Sequence, residues 1–164
     1  MNTSVMGNEN PSEHRIKTPW HLWLVAVFVT LIYSIGIYDY VSVHGNNTEY
    51  LNSLNTNGDV IAYFANYPLV FSALWTVNVF GAPIAVVLLI LRIKWAVWGA
   101  FLAALSKLCL DILTFSLWNR WSVFGPWLSL IDITVLLLTW AFYLYCRGMA
   151  RRGYFYLTKS NYVS

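Results

Sequence analysis

The sequence predicts an all-α membrane protein, a four-transmembrane-helix bundle with both its N and C termini in the cytoplasm. Its 164 residues allow one domain; 59% of them are hydrophobic and only 10% are charged, whereas a soluble domain carries roughly 25% charged residues. The apolar residues fall in long unbroken runs, and about 20 such residues are enough for a helix to cross the hydrocarbon core. Basic residues flank these runs instead of forming a soluble basic face, so the composition predicts a lipid bilayer as partner and no nucleic acid.

The predicted membrane domain covers residues 19–146 and lies between two polar tails. The polar composition of residues 1–18 predicts a disordered cytoplasmic tail, and the Arg and Lys residues within 147–164 predict a basic cytoplasmic tail. Pro19 and Pro68 fit helix starts, where a missing N–H costs nothing, and Pro83 within the second run predicts a kink. The four helices are expected at about residues 20–40, 69–91, 96–118 and 127–146.

The connections between these helices differ in length. Residues 41–68 form one long polar loop, and its apolar patches predict one or two short amphipathic helices on the membrane surface or over the bundle. Asp39, just before this loop, is interpreted as a solvated residue at a helix end. Residues 119–126 contain Gly125 and Pro126 between tryptophans, which predicts a short turn within an interfacial aromatic belt.

The distribution of Lys and Arg predicts the orientation. The two tails and the connection between the second and third helices hold nearly all of these residues, and the remaining two connections hold only Arg120. Because basic loops remain in the cytoplasm, the long loop and the Trp121 turn are expected on the opposite side. The basic residues counted as cytoplasmic are Arg15, Lys17, Arg92, Lys94, Arg147, Arg151, Arg152 and Lys159.

Four polar side chains inside the predicted spans are the candidate site. Lys107 and Asp111 are four residues apart, so they share one face of the third helix. Asp111 falls ~22 Å from the cytoplasmic end of its helix, and Asp132 falls ~8 Å from the outer end of the next helix, which is the same level in a ~30 Å core. A short connection makes these helices antiparallel neighbours, so the two carboxylates can meet. Asn78 and Lys107 both lie near the midplane.

This polar set has two interpretations. Two carboxylates and one ammonium carry a net charge of −1, and burial disfavours that charge, so one aspartate is expected to hold a proton. Such a site can bind a proton or a cation, as in coupled transporters. Alternatively, the charges form a satisfied triad that only fastens the third helix to the fourth.

Other residue patterns argue against catalysis. Trp75 and Trp140 lie away from the ends of the apolar runs and are candidate pocket aromatics, although plain packing is favoured over a pocket role for both. Nucleophile-elbow, phosphate-loop, zinc-helix and dinucleotide motifs are absent from the sequence, and its three histidines share no helical face. Cys109 and Cys146 fall at different depths and predict no disulfide. The sequence therefore predicts no enzyme, no metal site and no cofactor.

Several short motifs resemble a family of small bacterial inner-membrane proteins with four helices and no assigned activity. The sequence TPWHLW at residues 18–23 precedes an apolar run and then GIYDY at residues 36–40, where members of the family read G-x-YDY. Tyr33-Ser34 differs from the Trp-Asn of that family. The resemblance implies a multi-pass protein of the bacterial inner membrane, and the automatic label "sugar transporter" of many members implies a sugar-like solute. Further similarities lie at residues 67–68, 75–81, 88–97 and 150–153.

Two functions are therefore predicted as alternatives. The first is a small-solute (sugar-like) or proton-linked transport protein that acts as a homo-oligomer, because four helices alone enclose little space. The second is an accessory or structural protein that packs against a membrane-protein partner through the small residues Gly81–Ala85 or through the outer loop. A wet cavity that reaches Asp111 and Asp132 would favour the first, and a dry bundle with both residues fully paired would favour the second.

Overall fold

The computed structural model describes residues 19–54 and 59–155, and these residues form helices without any strand. The predicted tail at residues 1–18 and residues 156–164 of the second tail lie outside the described ranges. The helices are α1 (Trp20–His44), α2 (Thr48–Ser53), α3 (Val60–Ala65), α4 (Leu69–Ile90), α5 (Trp95–Leu117) and α6 (Arg120–Arg151).

The predicted four-helix membrane bundle is confirmed. The helices α1, α4, α5 and α6 are each long and apolar enough to cross a bilayer, and large apolar side chains such as Leu24, Leu102 and Leu137 are exposed along them. Apolar residues on the outer surface suit hydrocarbon and not water. We call the end of the bundle with α2, α3 and the α5–α6 connection the loop end, and the opposite end the terminal end.

Two helices are longer than predicted. Helix α1 continues beyond residue 40 to His44, because Ser42 and Val43 are buried against the loop end, and the long loop therefore begins at Gly45. Helix α6 begins at Arg120 instead of residue 127 and ends at Arg151 instead of residue 146. Its last turns pack Cys146 and Met149 into the core of the bundle, so the predicted basic tail starts as helix.

Small residues bring α4 and α5 into close contact. A Cβ atom placed on Gly81 would lie 3.5 Å from Ala103 Cβ, and one placed on Gly99 would lie 3.2 Å from Ala85 Cβ. The four positions form two small-xxx-small pairs that face each other, which lets two backbones approach closely in a membrane. Ala85 is completely buried by this contact. The predicted Gly81–Ala85 partner surface is therefore wrong, because α5 of the same chain covers it.

The helices pack in the order α1, α4, α5, α6. Close backbone contacts join α1 to α4, α4 to α5, and α5 to α6. The backbones of α1 and α6 make few close contacts, and a cavity lies between these two helices, which side-chain hydrogen bonds connect. At the loop end, α2 and α3 cover the bundle, as predicted, through an aromatic and aliphatic cluster built on Leu51, Tyr63 and Phe124.

Candidate functional site

Lys107, Asp111 and Asp132 form a buried ion-pair cluster in the loop-end half of the bundle. The Lys107 Nζ atom lies 2.8 Å from Asp111 Oδ1 and 3.2 Å from Asp132 Oδ1. Helix α5 supplies the first two residues from one face, one turn apart, and antiparallel α6 brings Asp132 to the same depth. Lys107 and Asp111 are each only 6% exposed, so each charge depends on its partner.

Arg120 is a fourth member that the sequence interpretation placed in an exterior turn. Its Nε atom donates a hydrogen bond to Asp132 Oδ2 at 2.6 Å, and its guanidinium lies 4.4 Å from the centre of the Phe124 ring. Residues twelve apart on a straight helix would be separated by ~18 Å along its axis. The pair forms because Gly125 breaks the helix, with φ 74° and ψ 177°, and turns the segment before it back toward Asp132. The Gly125-Pro126 pair in the sequence was the signal for this break.

The pairing leaves one carboxylate oxygen free. Lys107 and Arg120 occupy both oxygens of Asp132. Asp111 Oδ2, in contrast, is fully buried and has no hydrogen-bond partner among the described residues. With Arg120 included, the four side chains balance two positive charges against two negative ones. The expectation that the cluster carries a net charge of −1 therefore changes, because it did not count Arg120.

Asp39 is a second acidic residue of the site that the sequence interpretation assigned to solvent. Its Oδ1 atom accepts a hydrogen bond of 2.8 Å from the Tyr50 hydroxyl. This contact exists because α2 folds back over the end of α1, which a loop composition alone does not reveal. Burial, followed by the nearby Asp39 carboxylate, raises the pKa of Tyr50, so its hydroxyl stays protonated and donates to Asp39.

A cavity of about 520 Å³ joins these groups. It lies among the four membrane helices, and Tyr50 and Leu54 of the outer loop contribute to its wall. Its volume is in the range of small-molecule sites. Hereafter we call it the charged cavity. Its polar and charged lining includes Asp39, Asn78, Lys107, Asp111, Arg120 and Asp132.

Asn78 lines the charged cavity but bonds to a different network. Its Nδ2 atom donates to the Ala103 carbonyl at 3.0 Å and to the Tyr33 hydroxyl at 3.3 Å. The Tyr33 hydroxyl lies 2.7 Å from Thr139 Oγ1, which in turn donates to the Val135 carbonyl at 2.7 Å. The hydrogens therefore run in one direction from α4 through α1 to α6. We call this chain the Tyr33 bridge.

The two candidate pocket aromatics have different positions. Trp75 lines the charged cavity and packs against Tyr40 and Phe64. Trp140 lines neither cavity described in this section and packs edge-on against Tyr143, with ring centres 5.7 Å apart. Trp140 therefore does not contribute to either of these two cavities, because depth along a helix does not fix the direction in which a side chain points.

Comparison with known proteins assigns this chain to no family. No family model, curated protein or solved structure matches it. The family resemblance described above therefore remains a similarity of short motifs, and the function has to be argued from the geometry of the charged cavity.

A second cavity adjoins the first and lies between α1 and α6. It measures about 250 Å³ and shares Ile32, Tyr33, Val135 and Leu138 with the charged cavity. Its other walls are apolar except for Tyr145, whose hydroxyl lies 2.7 Å from His21 Nδ1 and joins the two helices near the terminal end. We call this second cavity the apolar groove. The arrangement can hold a molecule whose polar part lies at the loop end and whose apolar part lies along α1 and α6.

The Tyr33 bridge should contribute measurably to stability. Tyr33→Phe removes a buried hydroxyl that both accepts and donates, so we expect the free energy of unfolding in detergent to fall by about 1–2 kcal/mol. A double-mutant cycle with Thr139→Val should give a coupling energy of about 0.5–1.5 kcal/mol, measured by reversible unfolding in mixed micelles. Tyr38→Phe, at a side chain that is 61% exposed, serves as the control. Strict additivity of Tyr33→Phe and Thr139→Val would contradict the bridge.

Proposed function

We propose that this protein is a small-solute transport protein of the bacterial inner membrane and that the charged cavity is its solute site. The observation that carries the proposal is Asp111, which lines that cavity and whose buried Oδ2 atom has no hydrogen-bond partner among the described residues. A carboxylate oxygen at membrane depth without a hydrogen bond is costly. A solute or a proton that satisfies this oxygen would give the residue a function.

The incomplete pairing of the cluster supports transport over an accessory role. A cluster that only fastened α5 to α6 would need no cavity beside it and no unpaired oxygen. The accessory role was also predicted to use the Gly81–Ala85 face for a partner, and α5 covers that face in this structure. The outer loop remains for that alternative, but its apolar residues Leu51 and Val60 are buried against the bundle.

The membrane location and orientation belong to the same proposal. Four helices that can each span a bilayer would leave both flanking segments on one side, and the Lys and Arg residues near the terminal end favour the cytoplasm for that side. The charged cavity would then lie in the outer half of the inner membrane. One chain already supplies the lining residues of this cavity, so a homo-oligomer is proposed for the path across the membrane and not for the solute site.

Flux through proteoliposomes tests the proposal. We expect at least one radiolabelled solute from a panel of monosaccharides, polyols, amines and carboxylates to enter protein-containing vesicles faster than protein-free vesicles. Asp111→Asn removes the charge and keeps the shape of the side chain, so we expect it to lower that flux by about tenfold or more, which corresponds to one lost charge-assisted hydrogen bond. Ser106→Ala is the matched control, because Ser106 is equally buried on α5 and does not line the cavity.

Two results would contradict transport. One is a panel in which no solute enters faster than in protein-free vesicles. The other is a flux that persists unchanged in Asp111→Asn, which would remove the charged cavity from the pathway. Adding the pH-sensitive dye pyranine inside the vesicles separates a proton-linked flux from an uncoupled one.

A further inference from the structure

The charged cavity and the apolar groove lie next to each other, share four lining residues and differ in chemistry. The loop-end part holds the charged side chains and Trp75, and the part toward the terminal end is lined by residues such as Val29, Leu138 and Phe142. The shared residue Tyr33 marks the boundary between the two parts. A single molecule that filled both would need a polar head and an apolar tail.

With every side chain ionised, the lining of this space would carry a negative charge. The described walls of the charged cavity hold three carboxylates, those of Asp39, Asp111 and Asp132, against the two cations of Lys107 and Arg120. Both cations bind Asp132, and Lys107 also binds Asp111. Asp39 has only the neutral Tyr50 hydroxyl as partner within the described ranges, and Asp111 keeps its free Oδ2 atom. The groups that remain for a ligand are therefore carboxylates, and a bound cation would favour their ionised, negatively charged form.

Aromatic side chains line the same cavity as these acceptors. Tyr67 and Trp75 line the same cavity, and their ring centres are 6.4 Å apart. The faces of Trp and Tyr attract organic cations, most strongly where water is excluded. Carboxylates and aromatic rings that line one cavity are an environment suited to an ammonium group.

The wall of the space is incomplete between α1 and α6. The residues along this side include Ile35 and Ile131, which are 71% and 45% exposed. In a membrane, exposed apolar residues at this depth face hydrocarbon. An apolar tail can therefore lie in the gap or enter through it.

We propose that the solute is a cationic amphiphile, an organic ammonium with an alkyl or aryl tail, whose head lies between Asp39, Asp111 and Trp75 and whose tail lies in the apolar groove. The inference rests on the proposed function in taking the same cavity as the solute site. It assigns a different substrate class from the sugar-like solute that the family resemblance implies, because a neutral sugar would leave both the carboxylate charge and the groove unused.

Binding to protein in nanodiscs tests this assignment, with radiolabelled dodecyltrimethylammonium as the probe at a fixed amount of lipid. We expect saturable binding that unlabelled probe displaces, while tetramethylammonium (head without tail) and dodecyl glucoside (tail without charge) displace it poorly. Asp39→Asn and Asp111→Asn should each weaken binding by about tenfold, as expected for one lost charge-assisted contact. Asp59→Asn makes the same chemical change at a helix cap outside the cavity and should leave binding unchanged, since Asn also caps helices.

A second variant tests the tail. Leu138→Trp adds bulk where the two cavities meet, so it should weaken dodecyltrimethylammonium more than butyltrimethylammonium. Equal displacement by dodecyl glucoside would overturn the inference and leave a groove that only lipid chains fill. Unchanged binding in both aspartate variants would overturn it as well. The Asp39→Asn variant keeps the charge test valid if Asp111→Asn does not fold.

The outcomes separate this inference from the proposed function. Saturable, carboxylate-dependent binding of the ammonium probe without any flux would reject transport and retain the binding site. Flux of a neutral or anionic solute, together with no binding of the probe, would reject the cationic substrate and retain transport.

Discussion

Lys107→Met should destabilise the protein by about 3–5 kcal/mol, which is the usual cost of leaving a buried charge without its partner. The Lys107 ammonium lies 2.8 Å from Asp111 and 3.2 Å from Asp132. Asp132 would keep Arg120 at 2.6 Å, whereas Asp111, whose other oxygen is already unpaired, would lose its one ion pair in the described structure. The free energy of unfolding in mixed dodecyl maltoside and dodecyl sulfate micelles measures the loss.

A second substitution distinguishes charge from packing in this result. Lys107→Met combined with Asp111→Asn leaves no unpaired charge, so we expect the double variant to regain at least half of the lost stability. Lys94→Met, at an exposed lysine near the terminal end, should change stability by less than about 0.5 kcal/mol. A Lys107→Met protein as stable as the wild type would mean that the cluster contributes nothing to the fold.

Gly125→Ala should cost about 1–3 kcal/mol and should also weaken the Arg120–Asp132 pair. The Gly125 backbone, at φ 74° and ψ 177°, lies in a region that is open almost only to glycine. An alanine there has to relax toward helical or extended values, and either change swings the Arg120 segment away from Asp132. We therefore expect the loss of stability to be smaller in an Arg120→Gln background, where the ion pair is already absent, as measured by the same unfolding assay.

Helix α6 contains its own control for this substitution. A Cβ atom placed on Gly148 would meet nothing within 4 Å, so Gly148→Ala should leave stability unchanged or raise it by up to about 1 kcal/mol through helix propensity. If Gly125→Ala behaved like Gly148→Ala, the break would not require glycine, and the positioning of Arg120 would need another explanation.

Depth within the membrane could be predicted from the sequence because the rise of a helix is uniform. Counting residues placed Asp111 and Asp132 at one level and Lys107 one turn from Asp111 on the same face, and the structure brings the three side chains together. The count assumed straight helices and a flexible turn before residue 127. It therefore missed Arg120, whose position depends on a single backbone break.

The direction of a side chain was harder to predict than its depth. Asn78 lies at the expected level but bonds to Tyr33 and to a backbone carbonyl instead of to the ion pairs. Trp140 points away from the cavities because its rotation about the α6 axis depends on how α6 packs against its neighbours. Asp39 meets Tyr50 only after α2 folds back, and this contact depends on tertiary packing that the composition of a loop does not encode.

The gap between α1 and α6 also affects how affinity should be measured. A molecule that reaches the site sideways meets the protein at its concentration in the bilayer and not at its concentration in the buffer. A dissociation constant expressed per volume of water would then change with the partition coefficient of the molecule and with the lipid-to-protein ratio of the sample. Recognition at Asp39 and Asp111 should therefore be compared between two compounds that have the same partition coefficient.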